Sequence, residues 1–240
     1  IIHGAGNELY NNASEFYRAE NGQPIGYFWG YKTAGIFQNT QEIDEWRAAG
    51  NGILQSNVQP GDVRFVDRNH DGQINDKDKV NLGNGTPDFT LGLNLGFVYK
   101  GFDFSCVANG AFGQQIVQSY RNHTRPTPNY TTAILDRWHG EGTSNRIPRV
   151  TDSNINYQFS DLFIQNGDYL RLSTLTLGYD FAKLLKGKAV SQARLYFQVQ
   201  NLFTITGYDG MDPEIGFGSS NNSWVSGLDY GYYPRPRTVL

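Results

Sequence analysis

The stretch of alternating apolar and polar residues from 88 to 113 constrains the fold more than any other feature. Its first half places an apolar side chain at every odd position: Phe89, Leu91, Leu93, Leu95, Phe97 and Tyr99. After the segment YKGF, the apolar phase moves to the even positions: Phe102, Phe104, Cys106 and Ala108. Because successive side chains of a strand point to opposite faces, alternation on both sides of a glycine turn predicts a β-hairpin.

Residues 169–181 and 193–206 carry the same alternation and predict a second hairpin. The phase changes near Thr174, which a β-bulge would accommodate. Both hairpins have strands well above the usual length of about 5–6 residues. One face of these strands is apolar, and the other carries Asn, Gln, Thr, Arg and Gly. The sequence therefore predicts an all-β fold with long strands.

Two all-β architectures produce this pattern: a soluble sandwich with its apolar face inward, and a membrane barrel with that face toward lipid. The segments YKGF and AKLLKGKAVSQ make short connections, whereas residues 114–160 and 207–233 make long polar ones. Short turns at one end and long loops at the other are typical of outer-membrane barrels, as are aromatic residues near strand ends. The sequence therefore favours part of a transmembrane antiparallel β-barrel with long extracellular loops.

The composition argues against several other classes of protein. A hydrophobic content of 38% and a charged content of 18% are too apolar and too weakly charged for a disordered chain. The formal net charge of -3 implies no broad basic surface for nucleic acid. The single cysteine, Cys106, allows neither an internal disulfide nor a zinc spacing. No run approaches the roughly 18 apolar residues of a membrane helix, and no signal peptide opens the sequence.

No arrangement of residues predicts an enzyme. The histidines are scattered without metal-ligand spacing, and neither a Ser/His/Asp order nor a phosphate-binding loop stands out. Asp209 and Asp212 lie close together in sequence, but an acidic pair in a loop is more often solvated than catalytic. We therefore expect a protein without catalytic residues.

A calcium-binding loop is predicted over the segment DRNHDGQINDKD, residues 67–78. In twelve-residue numbering, Gly72 stands at position 6, where the chain must turn sharply, and Ile74 provides the apolar anchor at position 8. The predicted oxygen ligands are Asp67, Asn69, Asp71, the backbone carbonyl of Gln73, and Asp78. Calcium prefers about six to eight hard oxygens in a flexible cage, and this spacing provides them.

The competing interpretation of this segment is a turn rich in Asp, Asn and Gly that only reverses the chain. The flanking sequences are strand-like and lack the paired amphipathic helices of a calcium sensor. The pattern therefore favours a structural Ca²⁺ over a switch. Asp78 is shorter than the usual Glu at position 12, which favours a lower affinity.

The loop from 207 to 233 is the predicted substrate-binding segment, because its aromatic residues offer flat apolar faces to a sugar. These residues are Tyr208, Trp224, Tyr230 and Tyr232, with Asn221 and Asn222 as hydrogen-bonding neighbours. The competing interpretation is that each aromatic side chain only packs within the loop. For any one of these residues taken by itself, packing is the stronger interpretation.

Several short motifs occur together between residues 61 and 105. They are Gly61-Asp62, the loop from Asp67 to Gly72, Gly83-Asn84, Pro87, and Phe89 at the start of the first long strand. In this combination the chain resembles the SusC/RagA-type TonB-dependent transporters of the Bacteroidetes outer membrane. Residues 22–39, 166–181, 193–215 and 232–240 are similar to other parts of the same family.

The resemblance implies active import of an oligosaccharide or a peptide across the bacterial outer membrane. TonB would supply energy through a plug domain, and a SusD-like surface lipoprotein would form a lid. Residues 1–240 would then be the C-terminal segment of the barrel, with the plug domain absent and the last strand truncated after Leu240. Transporters of this class close about 22 strands around a plugged lumen, so the remaining barrel and outer-membrane lipid are implied partners.

A second function from a different class also fits the alternation, the calcium loop and the acidic pI. It is a secreted, soluble, calcium-binding β-rich module that acts as an adhesin or a carbohydrate binder. The long strands and the one-sided long loops argue against this alternative.

Overall fold

The chain is described from a computed structural model, which covers residues 8–10, 16–119, 132–151, 154–182, 184–185, 193–216, 224–231 and 233–240. The one α-helix of these residues is α1 (Thr40–Ala48). The strands are β1 (Glu8–Tyr10), β2 (Tyr17–Glu20), β3 (Tyr27–Tyr31), β4 (Thr33–Ile36), β5 (Val63–Phe65), β6 (Lys79–Gly83), β7 (Phe89–Tyr99), β8 (Phe102–Phe112), β9 (Gln115–Gln118), β10 (Ile164–Asn166), β11 (Tyr169–Asp180), β12 (Arg194–Thr206), β13 (Leu228–Asp229) and β14 (Thr238–Val239).

The four long strands form one antiparallel sheet with the two-residue strand β14 at one edge, in the order β14-β12-β11-β8-β7. Both predicted hairpins are confirmed, since β7 pairs with β8 and β11 pairs with β12. Lys100 and Gly101 make the first turn with φ values of 49° and 95°. Positive φ at both central residues is typical of the two-residue hairpin turn that matches the twist of the strands.

The bulge predicted near Thr174 is confirmed. The register of β11 against both neighbours shifts between Leu172 and Thr174. On β12 the shift falls at Asn201, which has a φ of 51°. The bulge lets apolar residues on either side of the shift stay on one face of the sheet.

One face of this sheet is apolar across its whole width. Phe97, Phe104, Leu177 and Phe197 lie side by side on four successive strands. Phe97 is 60% exposed and Phe197 is 50% exposed, so the described chain does not cover this face. Aromatic pairs mark its two ends: Phe89 stacks on Phe112, and Phe102 contacts Tyr179. The face is therefore an uncovered apolar band bordered by aromatic rings, as the sequence predicts.

The opposite face of the sheet is polar and carries a charged contact that crosses β11. The guanidinium of Arg194 on β12 donates to both carboxylate oxygens of Asp103 on β8, at 3.0 and 2.5 Å. Gly178 of β11 lies between them, and a Cβ there would approach a carboxylate oxygen of Asp103 to 2.4 Å. The absence of a side chain at Gly178 therefore lets the ion pair form.

A layer of short elements covers the end of the sheet opposite the Lys100–Gly101 turn. It contains a four-stranded sheet in the order β1-β2-β3-β6, the pair β4-β5, and a three-stranded sheet in the order β10-β9-β13. Its main core cluster consists of Tyr17, Phe28, Leu82, Val117, Phe159, Val225 and Leu228. The long connections are thus partly regular, which the sequence does not reveal because strands of two to four residues carry almost no periodicity.

Helix α1 belongs to this layer and begins at a well-formed N-cap. The side chain of Asn39 accepts a hydrogen bond from the amide of Glu42, and Ile43 is the buried residue that anchors the helix. Among the described residues, no helix has the length and apolar character needed to span a membrane.

Substitution of Gly178 tests the contact across β11. We expect Gly178→Ala to force Asp103 away from Arg194 and to destabilise the folded protein slightly, because only the end of the Asp103 side chain has to move and an exposed ion pair contributes little. Heat-dependent gel migration and urea unfolding of the detergent-extracted protein would measure the loss. Gly92→Ala on β7 is the matched control, because a Cβ there meets no atom within 4 Å. Equal stability of the two variants would contradict the prediction.

Candidate functional site

The connection from β5 to β6 forms the turn in which the calcium site is predicted. Asp67 is buried at its start, with 1% of its surface exposed. One carboxylate oxygen, Oδ2, accepts hydrogen bonds from the amides of Gly72 (2.8 Å) and Gly52 (3.3 Å). The other oxygen, Oδ1, is buried and accepts no hydrogen bond of normal geometry from the described residues. A buried carboxylate oxygen without a partner is costly unless a cation or a donor satisfies it.

Burial and backbone amides act in opposite directions on the Asp67 carboxyl. Burial raises its pKa, whereas hydrogen bonds from the amides of Gly72, His70, Gly52 and Asp71 lower it. The lowering effect is the larger, so the net pKa lies below the ordinary value. The side chain is therefore an anion over a wide pH range. A buried anion of this kind is the form that binds a hard cation.

The next three predicted ligands lie in the same turn. The side-chain oxygen of Asn69 accepts from the amide of Asp71 at 3.1 Å, and that of Asp71 accepts from the amide of Gln73 at 2.9 Å. His70 and Gly72 both have positive φ, 57° and 79°, which coils the backbone tightly. The structure therefore brings together Asp67, Asn69, Asp71 and Gln73 within one short turn.

Asp78, the fifth predicted ligand, lies in a different environment. It is fully buried and is the third residue of a single turn of 3₁₀-helix, Asp76–Asp78, in which it forms a capping box with the N-cap residue Asn75. Its Oδ1 accepts from the amide of Arg68 at 2.9 Å, and its Oδ2 accepts from the amide of Asn75 at 2.8 Å. Within the described part of the chain, no three His, Cys, Asp or Glu side chains lie close enough together to hold a metal ion. A cation in this turn would therefore depend on Asn and carbonyl oxygens as well.

The carboxylates of this turn also affect the ionisation of the buried residue Tyr31. It lies on β3 beside the turn, and Lys79 lies over its ring. Burial, together with the negative charges of Asp76 and Asp78, raises the pKa of the Tyr31 phenol to about 12. The phenol therefore remains neutral and packs as a core residue.

The aromatic residues predicted to touch substrate occupy three different environments. Tyr208 is buried, and its hydroxyl donates to the carboxylate of Asp229 at 2.5 Å. Trp224 is half-buried and packs edge-to-face on Tyr17. Tyr230 is 44% exposed. Two of the three thus have a packing role, and Tyr230 keeps an accessible ring. Tyr232, Asn221 and Asn222 lie outside the described residues.

A buried ion-pair network at the loop end of the sheet was missed by sequence reasoning. Arg171 of β11 donates to Asp212 at 2.6 Å, to Glu214 at 2.8 Å and to the hydroxyl of Thr204 at 2.9 Å. Asp212 is only 5% exposed, so the expectation that it is solvated is wrong. At the solvent-exposed side of this network, Arg235 donates to Glu214 at 2.9 Å. These contacts fix the segment after β12 against the polar face of the sheet.

The only sequence signal for this network is the occurrence of arginine in a long strand together with two acids in the following loop. That signal is weak, because the partners are about 40 residues apart and their meeting depends on the register of β11 and β12. A second set of contacts holds the same segment, since Asp209 accepts from the side-chain amides of Gln118 and Gln165. The segment after β12, residues 207–216, is therefore held in place against the long-stranded sheet.

Comparison with known proteins adds independent evidence on what this sheet belongs to. No family model matches the chain. The chain is 33% identical over 228 residues to TonB-dependent receptor P3 of Formosa agariphila, which covers 90% of the chain and 22% of that receptor. It is 30% identical over 190 residues to TonB-dependent receptor SusC of Bacteroides thetaiotaomicron, which covers 78% of the chain and 18% of that receptor. The chain belongs to the SusC/RagA-type TonB-dependent receptors.

Solved structures support the same fold for this SusC/RagA-type segment. The RagAB peptide importer in its closed-closed state matches 99% of the chain with a TM-score of 0.67 and 21% identity. The open-open state matches 96% with a TM-score of 0.65. The chain spans about a fifth to a quarter of the length of the relatives and solved chains that it matches. The sheet is therefore part of an outer-membrane β-barrel, and the relatives are receptors and transporters, not enzymes.

Replacement of Arg171 tests the buried network. We expect Arg171→Met to leave Asp212 and Glu214 without their buried counter-charge and to destabilise this region by about 3–5 kcal/mol. Hydrogen exchange of residues 207–216 in the detergent-extracted protein would rise sharply.

The control for that experiment is Arg194→Met, because Arg194 makes an ion pair that is half-exposed. Exposed pairs of that kind contribute little to stability. The prediction is contradicted if the two substitutions change exchange in residues 207–216 equally.

Proposed function

We propose that the chain forms part of the wall and of the extracellular loop layer of an active importer in the outer membrane. The observation that carries this proposal is the uncovered apolar band of the sheet, with aromatic rings at both ends. The 11 residues of β7 extend about 34 Å along the strand, or about 25 Å across a membrane at the usual tilt. This height fits the apolar band of outer-membrane barrels, which is about 25 Å.

The cargo that we propose is an oligosaccharide or a peptide. The solved relative RagAB is named a peptide importer, and the SusC/RagA-type resemblance supports a SusD-like lipoprotein as the lid and TonB as the source of energy. The exposed ring of Tyr230 is the proposed contact with cargo in this segment. The remaining barrel strands would complete the wall, because an open sheet edge is not tolerated in lipid, and the plug would fill the lumen.

A secreted adhesin or carbohydrate-binding module is the alternative that these observations oppose. A water-soluble protein would have to bury the apolar band against a second sheet. Within the described residues the short sheets lie at one end of the long strands and leave the band exposed. The membrane therefore remains the better solvent for this face.

Uptake in living cells tests the import proposal. In a strain that lacks the gene for the complete protein, uptake of labelled oligosaccharides or peptides should fall to background, and loss of TonB should have the same effect. Fractionation of the same cells should place the protein in the outer membrane. Recovery of the folded protein from the culture supernatant, or uptake that persists without TonB, would contradict the proposal.

We also propose that the turn from Asp67 to Gln73 binds a structural Ca²⁺. The buried Oδ1 of Asp67 supports this proposal, because the carboxyl is ionised and this oxygen accepts no hydrogen bond of normal geometry from the described residues. The side chains of Asn69 and Asp71 and the carbonyl of Gln73 would provide further oxygens. When bound, the cation would provide a partner for Oδ1 of Asp67 and would stiffen this part of the extracellular layer.

Calcium binding by the detergent-extracted protein tests the metal proposal. We expect Asp67→Asn to weaken binding by about tenfold or more, because it removes a buried anionic ligand. Terbium luminescence with calcium competition would measure the affinity. Asp44→Asn is the matched control, since Asp44 is an exposed residue of α1. Equal affinities for the two variants would rule out Asp67 as a ligand.

A further inference from the structure

Asp78 closes the turn through hydrogen bonds to its two ends. The amide of Arg68, next to Asp67, donates to Oδ1, and the amide of Asn75, just after the turn, donates to Oδ2. The side chain of Asn75 in turn accepts from the amide of Lys77 at 3.0 Å. One fully buried carboxylate thus joins the backbone on both sides of the predicted cation position without using a cation.

Other contacts of the turn are also independent of a metal. Ile74 is buried in a cluster with Tyr31, Val63 and Phe65. The amide of Gly52 reaches Asp67, and a Cβ at Gly52 would lie 2.6 Å from the backbone of Gln73. The turn is therefore packed closely against the segment that follows α1, as well as against the core.

We infer that Asp78 is a positioning residue that keeps the turn folded without metal, and that it does not ligate Ca²⁺. This inference rests on the proposed calcium site and changes its composition. The cation is then bound by Asp67, Asn69, Asp71 and the carbonyl of Gln73, with water in the remaining positions. Asp78 is fully buried and both of its oxygens accept backbone amides, whereas Oδ1 of Asp67 accepts no hydrogen bond of normal geometry. The side chains of Asn69 and Asp71 also accept hydrogen bonds within the turn, but they are exposed and can rotate toward a cation.

Two consequences follow for the affinity and for the apo state. The site holds two carboxylates, Asp67 and Asp71, where the twelve-residue pattern provides three. Because ligand charge sets calcium affinity, we expect a dissociation constant of about 10⁻⁴–10⁻³ M, the range of extracellular modules. Because the turn is closed by Asp78 and Ile74, removal of calcium leaves the backbone folded.

Hydrogen exchange and calcium binding, measured on the complete transporter in detergent, test this inference. In the wild-type protein, a calcium chelator should change the protection of the Arg68 and Asn75 amides by no more than about twofold. Asp78→Asn should lower that protection by about tenfold to a hundredfold with or without calcium, because hydrogen bonds to a charged acceptor are lost. Asp67→Asn should weaken calcium binding by about tenfold or more and leave the protection largely intact.

Other outcomes distinguish the possible failures. If chelation of the wild-type protein unfolds the turn, the inference is overturned, and this measurement needs no variant. It is also overturned if Asp78→Asn abolishes calcium binding while protection in the chelator is unchanged, because Asp78 is then a ligand. Absence of binding by the wild-type protein up to about 10 mM calcium would reject the proposed metal site. The Asp78→Asn exchange result would still decide whether Asp78 closes the turn.

Discussion

The register of the ladder that joins β7, β8, β11 and β12 is the constraint on which the rest of the structure depends. Because side chains alternate between faces, a slip of one residue would move every apolar group of a strand to the polar side. In the observed register Phe104 meets both Phe97 and Leu177, and all three lie on the apolar band. The same register aligns Asp103 with Gly178, which leaves room for the ion pair with Arg194.

The bulge between Leu172 and Thr174 separates two functional parts of the sheet. On the turn side, the polar face carries the half-exposed ion pair of Asp103 and Arg194. On the loop side, Arg171 points to the same polar face and binds the segment after β12 through two carboxylates. The structure therefore holds its loop layer to the wall by buried charge, and not by the backbone ladder alone.

Sequence reasoning succeeded where the signal is local. The alternation predicted both hairpins, the bulge and the apolar face, because each is written into consecutive residues. The spacing from Asp67 to Gln73 likewise predicted a turn that gathers these residues. The environments of Asp78, Tyr208 and Asp212 could not be predicted, because each is set by contacts that depend on tertiary packing. The ion pair of buried Asp62 with the partly buried Arg149, 87 residues apart, shows the same limitation.

The two-residue turn at Lys100 and Gly101 has a consequence for the order in which the sheet assembles. It brings β7 and β8 together with almost no loop-closure entropy, so this hairpin is the fastest pairing available to the sheet. The pairing of β8 with β11 joins residues that are between 58 (Ala111 with Tyr169) and 77 (Phe102 with Tyr179) positions apart, and it requires the intervening loop layer to be closed first or at the same time. Assembly of the wall is therefore expected to proceed by docking of preformed hairpins, with the β8–β11 seam formed last.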